Sequence, residues 1–481
     1  MGLRTRIPGA SLLIPLLLGA SAAIAAASAA ESQTLLDAAE RGDHEAVRSL
    51  LDGGADINMA GGEGTNALMW AVHNDDLMMV ELLIDAGSNV AGANDYGATA
   101  LYVAAADANA SITGALLDAG ADPNMALLSG ETPLMEASRR GKTETVRLLL
   151  ESGADLNTRE SLGGQTALMW AASERHSDIA ELLIANNADI NARSDGGSTA
   201  LMFAAQQGAA DTAKILLAAG ADPNEIMPGT ALTPLLIASA MGHGNVVSVL
   251  LNEGADPNAV DNEGFTSLHY AASNKEALSM VEELLAHGAD PNIRLRQERR
   301  TEFAASGVAL EGATPLLFAA EINSLEVVKA LVEGGADPLI PTDQGTSALV
   351  LAAGGGTDLS RPRPREERTT AVETARFLVE HGADVNGAGQ FGWAPLHAAA
   401  YQGLNDLIAY LVSEGADPDQ MDRFGQTALS ISNAVITEGI GAAYYQAARV
   451  FRRDTADLLL ALGATPLEDS GVVQVTQRAT D

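Results

Sequence analysis

The sequence predicts an all-α repeat protein of about twelve helix-turn-helix units joined by projecting hairpins, and three observations carry that prediction. The string Gly-Ala-Asp-Pro-Asn begins at Gly120, Gly220, Gly254 and Gly288, with close variants at Gly54, Gly87, Gly153, Asn187, Gly335, Gly382, Gly415 and Gly463; successive starts are 33 or 34 residues apart, stretched to 47 or 48 three times. About twelve residues after most starts stands a second landmark, as in Thr132-Pro133-Leu134, Thr166-Ala167-Leu168, Thr199-Ala200-Leu201, Thr314-Pro315-Leu316 and Ala394-Pro395-Leu396. The 481 residues are 47% hydrophobic but only 4% aromatic, so the core is built of Ala, Leu and Val, which suits closely packed helices. A fixed period of this length marks supersecondary units that stack.

Each element has a local cause. A Thr before the helix satisfies an orphan amide and a Pro in its first position has φ already set, so Thr-Pro-Leu opens the first helix of each unit. Ala pairs such as Ala171-Ala172 and Ala204-Ala205 let neighbouring helices approach. The second helix carries apolar residues at helical spacing, as Val146, Leu148, Leu149 and Leu150, and stops at a left-handed glycine such as Gly153. Pro123, Pro223, Pro257 and Pro291 then turn the chain away, and the run from Asn258 to Gly264 has the turn chemistry of a hairpin. Insertions at about 293–311, 354–370 and 434–453 account for the stretched spacings. The first lengthens a hairpin, whereas the other two separate the first and second helices of their units, on the opposite edge.

The chain ends read differently. Arg4 and Arg6 precede an apolar stretch that closes on Ala27-Ser28-Ala29, the pattern of a secretory signal peptide over residues 1–30. Pro15 and the shortness of the strongly apolar run Leu12–Leu18 argue against a membrane span. The array then occupies 31–467, and residues 468–481 match nothing and are expected to form a flexible tail. Export implies a periplasmic or secreted protein. With no cysteine, thiol nucleophiles, disulfides and zinc–thiolate sites are excluded. Asp plus Glu number 63 against 28 Lys plus Arg, a net charge of −35 that repels phosphate backbones and excludes nucleic acid as a partner.

The unit resembles the ankyrin repeat, whose pattern D-x-x-G-x-T-P-L-H-x-A-A-x-x-G-H-x-E-V-V-x-L-L-L-x-x-G-A-D-P-N is met closely by Asp261 to Asn292. The resemblance runs from about Gln33 to Leu467. It implies an ankyrin-repeat solenoid with β-hairpin fingers along one edge, a non-enzymatic scaffold role, and a protein partner held on the concave face made by first helices and finger tips.

Little in the sequence resembles chemistry. His269 and His397 sit at the T-P-L-H position, His44, His176 and His243 at the G-H position, and His287 and His381 before the terminal Gly-Ala-Asp, leaving only His73 off the pattern. Asp256, Asn258 and Asp261 bunch in a turn but miss the spacing of a calcium loop, so turn capping is the plainer reading. No H-E-x-x-H, G-x-S-x-G or phosphate-loop string is present, and Gly354-Gly355-Gly356 lacks the following Lys-Ser/Thr. No catalytic residue, metal or cofactor is expected. Met69-Trp70 and Met169-Trp170 fall within first helices and read as interhelical core.

Function is expected where residues depart from what the repeat needs. Phe391, Trp393 and Phe424 lie on fingers that ask only for turn formers, with Tyr401 at the variable end of the adjoining helix and Arg423 alongside, a composition suited to an interface. Packing within the chain is the competing reading. Tyr96 and Phe265 are isolated further examples, and Arg139 and Arg140 end a first helix facing the same concavity. The insertions hold eleven arginines; Arg294, Arg296, Arg299, Arg300, Arg361, Arg363 and Arg365 could grip carboxylates of a partner or ligand, or pair with Glu298, Glu302, Glu366, Glu367 and the acidic body. A second class of function, an enzyme or ligand-binding factor with its site built by these insertions, would require a polar pocket between them.

Overall fold

A computed structural model describes residues 34–107, 109–296, 311–355, 365–389, 392–433 and 451–467. The expected signal peptide, the tail 468–481 and most of the three insertions lie outside the described residues. The chain divides into two compact units, Met1–Pro228 and Gly229–Asp481.

Among the described residues each unit holds six helix pairs. The first unit contains α1 (Leu35–Glu40) with α2 (His44–Asp52), α3 (Ala67–His73) with α4 (Leu77–Asp85), α5 (Ala100–Ala106) with α6 (Ala110–Asp118), α7 (Pro133–Arg140) with α8 (Thr143–Glu151), α9 (Ala167–Ser173) with α10 (Ser177–Ala185), and α11 (Ala200–Gln207) with α12 (Ala210–Ala218). The second contains α13 (Pro234–Met241) with α14 (Gly244–Asn252), α15 (Ser267–Ala272) with α16 (Leu278–Ala286), α17 (Pro315–Glu321) with α18 (Leu325–Glu333), α19 (Ala348–Val350) with α20 (Arg365–Glu380), α21 (Pro395–Gln402) with α22 (Asn405–Ser413), and α23 (Ala428–Ser432) with α24 (Arg453–Ala461).

The opening signals act as the sequence implies. The hydroxyls of Thr99, Thr132, Thr166 and Thr199 accept the N–H three residues on at 3.2–3.4 Å, and Pro133, Pro234, Pro315 and Pro395 occupy the first turn of their helices. Leu68, Leu101, Leu134 and Leu168 on first helices, and Leu83, Leu116, Leu149 and Leu183 on second helices, are buried at 0–1% exposure. Each contributes roughly 1.5–3 kcal/mol of apolar burial. Ala71, Ala104, Ala137, Ala171 and Ala204 are fully buried too, which is how so few aromatics suffice.

First helices close on left-handed residues. At Gly141 (φ +72°) the close neighbour adds to the left-handed backbone in favouring glycine, because a Cβ there would come within 2.7 Å of the His176 ring, whose Nε2 lies 3.2 Å from the Arg139 carbonyl oxygen. Asn187, which stands where the other second helices have glycine, takes φ +70° and stops α10 equally well.

Between repeats, the Asn of Gly-Ala-Asp-x-Asn is a staple. The Oδ1 atoms of Asn124, Asn157, Asn258 and Asn386 accept the N–H of Asp155, Asp189, Asp290 and Asp417 at 2.7–2.9 Å. Asn292 makes the same bond to Asp337 at 2.8 Å and donates Nδ2 to the Gly335 carbonyl at 2.9 Å, so the register passes unbroken across the first insertion. In the second insertion, residues 365–370 are helical and belong to α20, which runs for 16 residues.

The expected fingers are present in their shortest form, closed by a backbone bond across their legs, as Leu127 to Glu131 and Ser194 to Ser198. Among the described residues the fingers are tight turns, and pairing is limited to two isolated antiparallel bridges, Ala60 with Asn66 and Ala93 with Thr99. Each leg is too short for a ladder, because the residue after the closing bond already caps the next helix, as Thr99 follows Ala98.

Candidate functional site

In the first unit the finger tips form a tied row. The Asp95 N–H donates to the Glu63 carbonyl at 2.9 Å, Leu128 to Tyr96 at 3.0 Å, Ser161 to Ser129 at 2.7 Å and Asp195 to Gly163 at 2.8 Å. Each tip presses on the left-handed glycine of the finger before it: a Cβ on Gly64 or Gly97 would lie 3.0 Å from the next finger's backbone. On this frame Leu128 and Leu162 stand 80% and 75% exposed, with Tyr96 at 38% and Ile226 at 57%. Apolar side chains of that size in open water cost free energy unless something covers them.

The Leu162 finger is held from beneath. Glu160, buried at 4% exposure, accepts the N–H groups of Leu162, Gly163 and Gln165 at 2.5–3.0 Å. A carboxylate gripping three amides fixes the loop that presents the leucine.

The neighbouring face of the first helices is packed on itself. Glu136 is buried between Arg139 and Arg140: it accepts Arg139 Nε at 2.8 Å, Arg140 Nε at 2.9 Å and also Arg139 Nη2. The Arg139 guanidinium lies 5.7 Å from the Trp170 ring centroid. Burial alone would lower the Arg139 pKa, but Glu136 together with Tyr102 and Glu131 outweighs it and the net shift is upward. Burial pushes the Tyr102 hydroxyl well above its ordinary value, reinforced by Glu136 and Glu131, and burial likewise raises Glu131. Met69 and Met169 are core, as the sequence suggests, whereas Trp70 and Trp170 are half-buried on the helix face instead of between helices.

In the second unit the expected exposed aromatics turn inward. Trp393 and Tyr401 are buried, at 8% and 6% exposure, and their rings meet at 5.8 Å. Phe265 does the same, stacking on Tyr270 at 5.2 Å, whose hydroxyl donates to Asp261 Oδ2 at 2.6 Å. The cause is position. The residue just before the helix-opening cap is buried in repeat after repeat, as at Thr65, Ala98, Gln165, Leu232, Ala313 and Gln426, and Trp393 and Phe265 occupy it. Phe424 is half-buried, its N–H on Asp422 Oδ1 at 2.8 Å, and Arg423 is exposed. Phe391 lies outside the described residues.

Arg294 is a finger staple. Its Nε donates to the Gly312 carbonyl at 2.8 Å and its Nη2 to Asp343 at 2.6 Å, as Arg159 does to Gly164 at 2.9 Å and Asp195 at 2.7 Å. Arg296 is exposed. Arg299, Arg300, Arg361 and Arg363 lie outside the described residues, as does the side chain of Arg365.

Two histidines support the fold. His269 Nδ1 accepts the Thr266 N–H at 3.1 Å and its Nε2 donates to the Ala313 carbonyl at 3.2 Å; His397 repeats the arrangement with Ala394 and Gln426, both at 3.1 Å. Burial lowers the His269 pKa to about 4 and lowers that of His397. The repeated Asp residues cap their own turns, as when Asp122 Oδ1 accepts the Asn124 N–H at 2.9 Å. No group of three or more His, Asp or Glu placed to hold a metal occurs among the described residues.

The aromatic signal of the sequence does not reach Leu128 and Leu162. The signal was available: a large aliphatic residue just ahead of a finger glycine is as foreign to a turn as a phenylalanine.

Comparison with known proteins bears on the whole array. The family description Ankyrin repeats (3 copies) matches residues 35–126, 104–194, 160–227, 201–294 and 367–432, and the description Ankyrin repeat matches 311–343. No curated protein matches the chain. Ankyrin repeats are generally protein–protein interaction modules, and proteins built of them are typically non-enzymatic. With these matches spread over both units, the chain belongs to the ankyrin repeat family.

Proposed function

We propose that the protein is a non-enzymatic scaffold that binds a protein partner, and that its contact surface is the finger edge of the first unit. The observation that carries this is the exposure of Leu128 and Leu162 on neighbouring tips held to one another through the backbone. Rigid apolar groups lose little conformational entropy on docking, and such anchors dominate interface energetics. We place the protein in the periplasm or outside the cell, on the strength of Arg4, Arg6 and Ala27-Ser28-Ala29. No helix among the described residues is long and apolar enough to cross a membrane.

The test is a photo-crosslinking residue placed singly at Leu128, Leu162 and Met78, the last being 66% exposed on α4 and remote in role from the fingers. The same partner is expected from the two tip positions and not from Met78. Equal crosslinking at all three, or none at the tips, would sink the assignment. Mass spectrometry of the mature N-terminus in fractionated cells checks the location.

A further inference from the structure

The charge around these tips is uneven. The finger edge of the first unit carries two arginines, and each is already paired, Arg159 with Asp195 at 2.7 Å and Arg193 with Glu225. On the first two tips Glu63 and Asp95 are exposed acids with no cation opposite them among the described residues, and Glu131 adds a third, half-buried carboxyl at the next finger. Moving along the row, the edge therefore changes from acidic at Glu63 and Asp95 to apolar at Leu128 and Leu162, and then to charge-neutral pairs at Arg159–Asp195 and Arg193–Glu225.

We propose that the occupant of this edge is an extended segment with basic side chains at one end and apolar side chains at the other, the basic end lying on Glu63 and Asp95 and the apolar end on Leu128 and Leu162. This rests on the docking surface proposed above and deepens it by naming the partner's chemistry. Stacked helices lie about 8–10 Å apart and an extended chain rises about 3.3 Å per residue, so one tip is met by every third residue. The recognised pattern is two basic residues followed by two apolar ones, each about three positions from the next. Opposite charges across such an edge speed encounter and set register, while the apolar groups supply most of the affinity.

The experiment uses the full chain and labelled peptides in a Gly-Ser background, read by fluorescence anisotropy: two lysines then two leucines at that spacing, in both orders, the same with glutamate for lysine, and the same with serine for leucine. The lysine–leucine peptide should bind about tenfold or more tighter than either control. Leu128→Ser with Leu162→Ser should weaken it about tenfold, and Glu63→Gln with Asp95→Asn severalfold, with a flatter salt dependence. Arg193→Gln, which releases Glu225 beyond the apolar end and away from the lysines, should leave binding within about twofold, so a general gain from added negative charge would contradict the register. Equal binding of the glutamate peptide, or indifference to Glu63→Gln with Asp95→Asn, overturns the proposal. If the tips crosslink to a partner while lysine confers no preference, the docking edge stands and its basic occupant falls; if the tips do not crosslink, both fall.

Discussion

The two units treat the same finger differently. In the first, Tyr96, Leu128 and Leu162 stand just ahead of the tip glycine on three consecutive fingers and face water. In the second, Phe265 and Trp393 stand just after it and fold onto Tyr270 and Tyr401. Among the described residues, the exposed apolar side chains on the second unit's fingers, Leu339 at 55% and Met421 at 49%, lie on fingers that are not adjacent. The position after the left-handed glycine is buried at Phe265 and Trp393, whereas ahead of it Tyr96, Leu128 and Leu162 are exposed and Phe424 is half-buried, so register across that glycine weighs on which large side chains are covered. The units also differ at the third position of the first helix, which is Asp37, Met69, Tyr102, Met135, Met169 or Met202 in the first and includes His269 and His397 in the second.

The largest effect should separate core from edge. Trp393→Ala removes a buried aromatic and is expected to cost about 3–5 kcal/mol in urea unfolding, against less than about 0.5 kcal/mol for Leu128→Ala or Leu162→Ala. Comparable losses would erase the distinction between the two finger positions. Acid should come next. His269 has its pKa lowered by burial from 6.5 to about 4, so the fold favours the neutral ring; its contribution is complete above pH 6.5 and is lost as pH falls toward 4, by about 3 kcal/mol. His397 adds to this in the same direction. Hydrogen exchange at stepwise lower pH should show α15 and α21 losing protection before α3 or α9, and a uniform loss would contradict the argument. Smaller and local is Glu160→Ala, which strands three amides and should cost about 1–3 kcal/mol. Its exchange signature should be confined to residues 161–165, and an effect spread through α9 would mean that Glu160 supports the helix and not the tip.

Much of the fold was legible because its causes are local. Thr99, Pro133, Gly141 and Gly153 act within a turn of their own helices, and the 33-residue period makes each a repeated observation. The histidines were legible for the same reason, since a ring that accepts from the cap three residues back, as His269 does from Thr266, is fixed by spacing. The site was less so. Arg139 and Arg140 look like a cationic patch in sequence but share the buried Glu136, and Arg294 looks like part of a loop until Gly312 and Asp343 are brought beside it.

What the sequence determined by itself is therefore the repeat, its helix boundaries, its acidity and its lack of cysteine, because these follow from composition and from interactions a few residues long. What only the tertiary structure decided is exposure: that Trp393 is covered and Leu162 is not, and which charges along the finger edge already have partners. Those outcomes depend on neighbours some thirty residues away, such as Asp195 for Arg159, separated in sequence by 36 residues, and it is the stacking of one repeat on the next that brings them together.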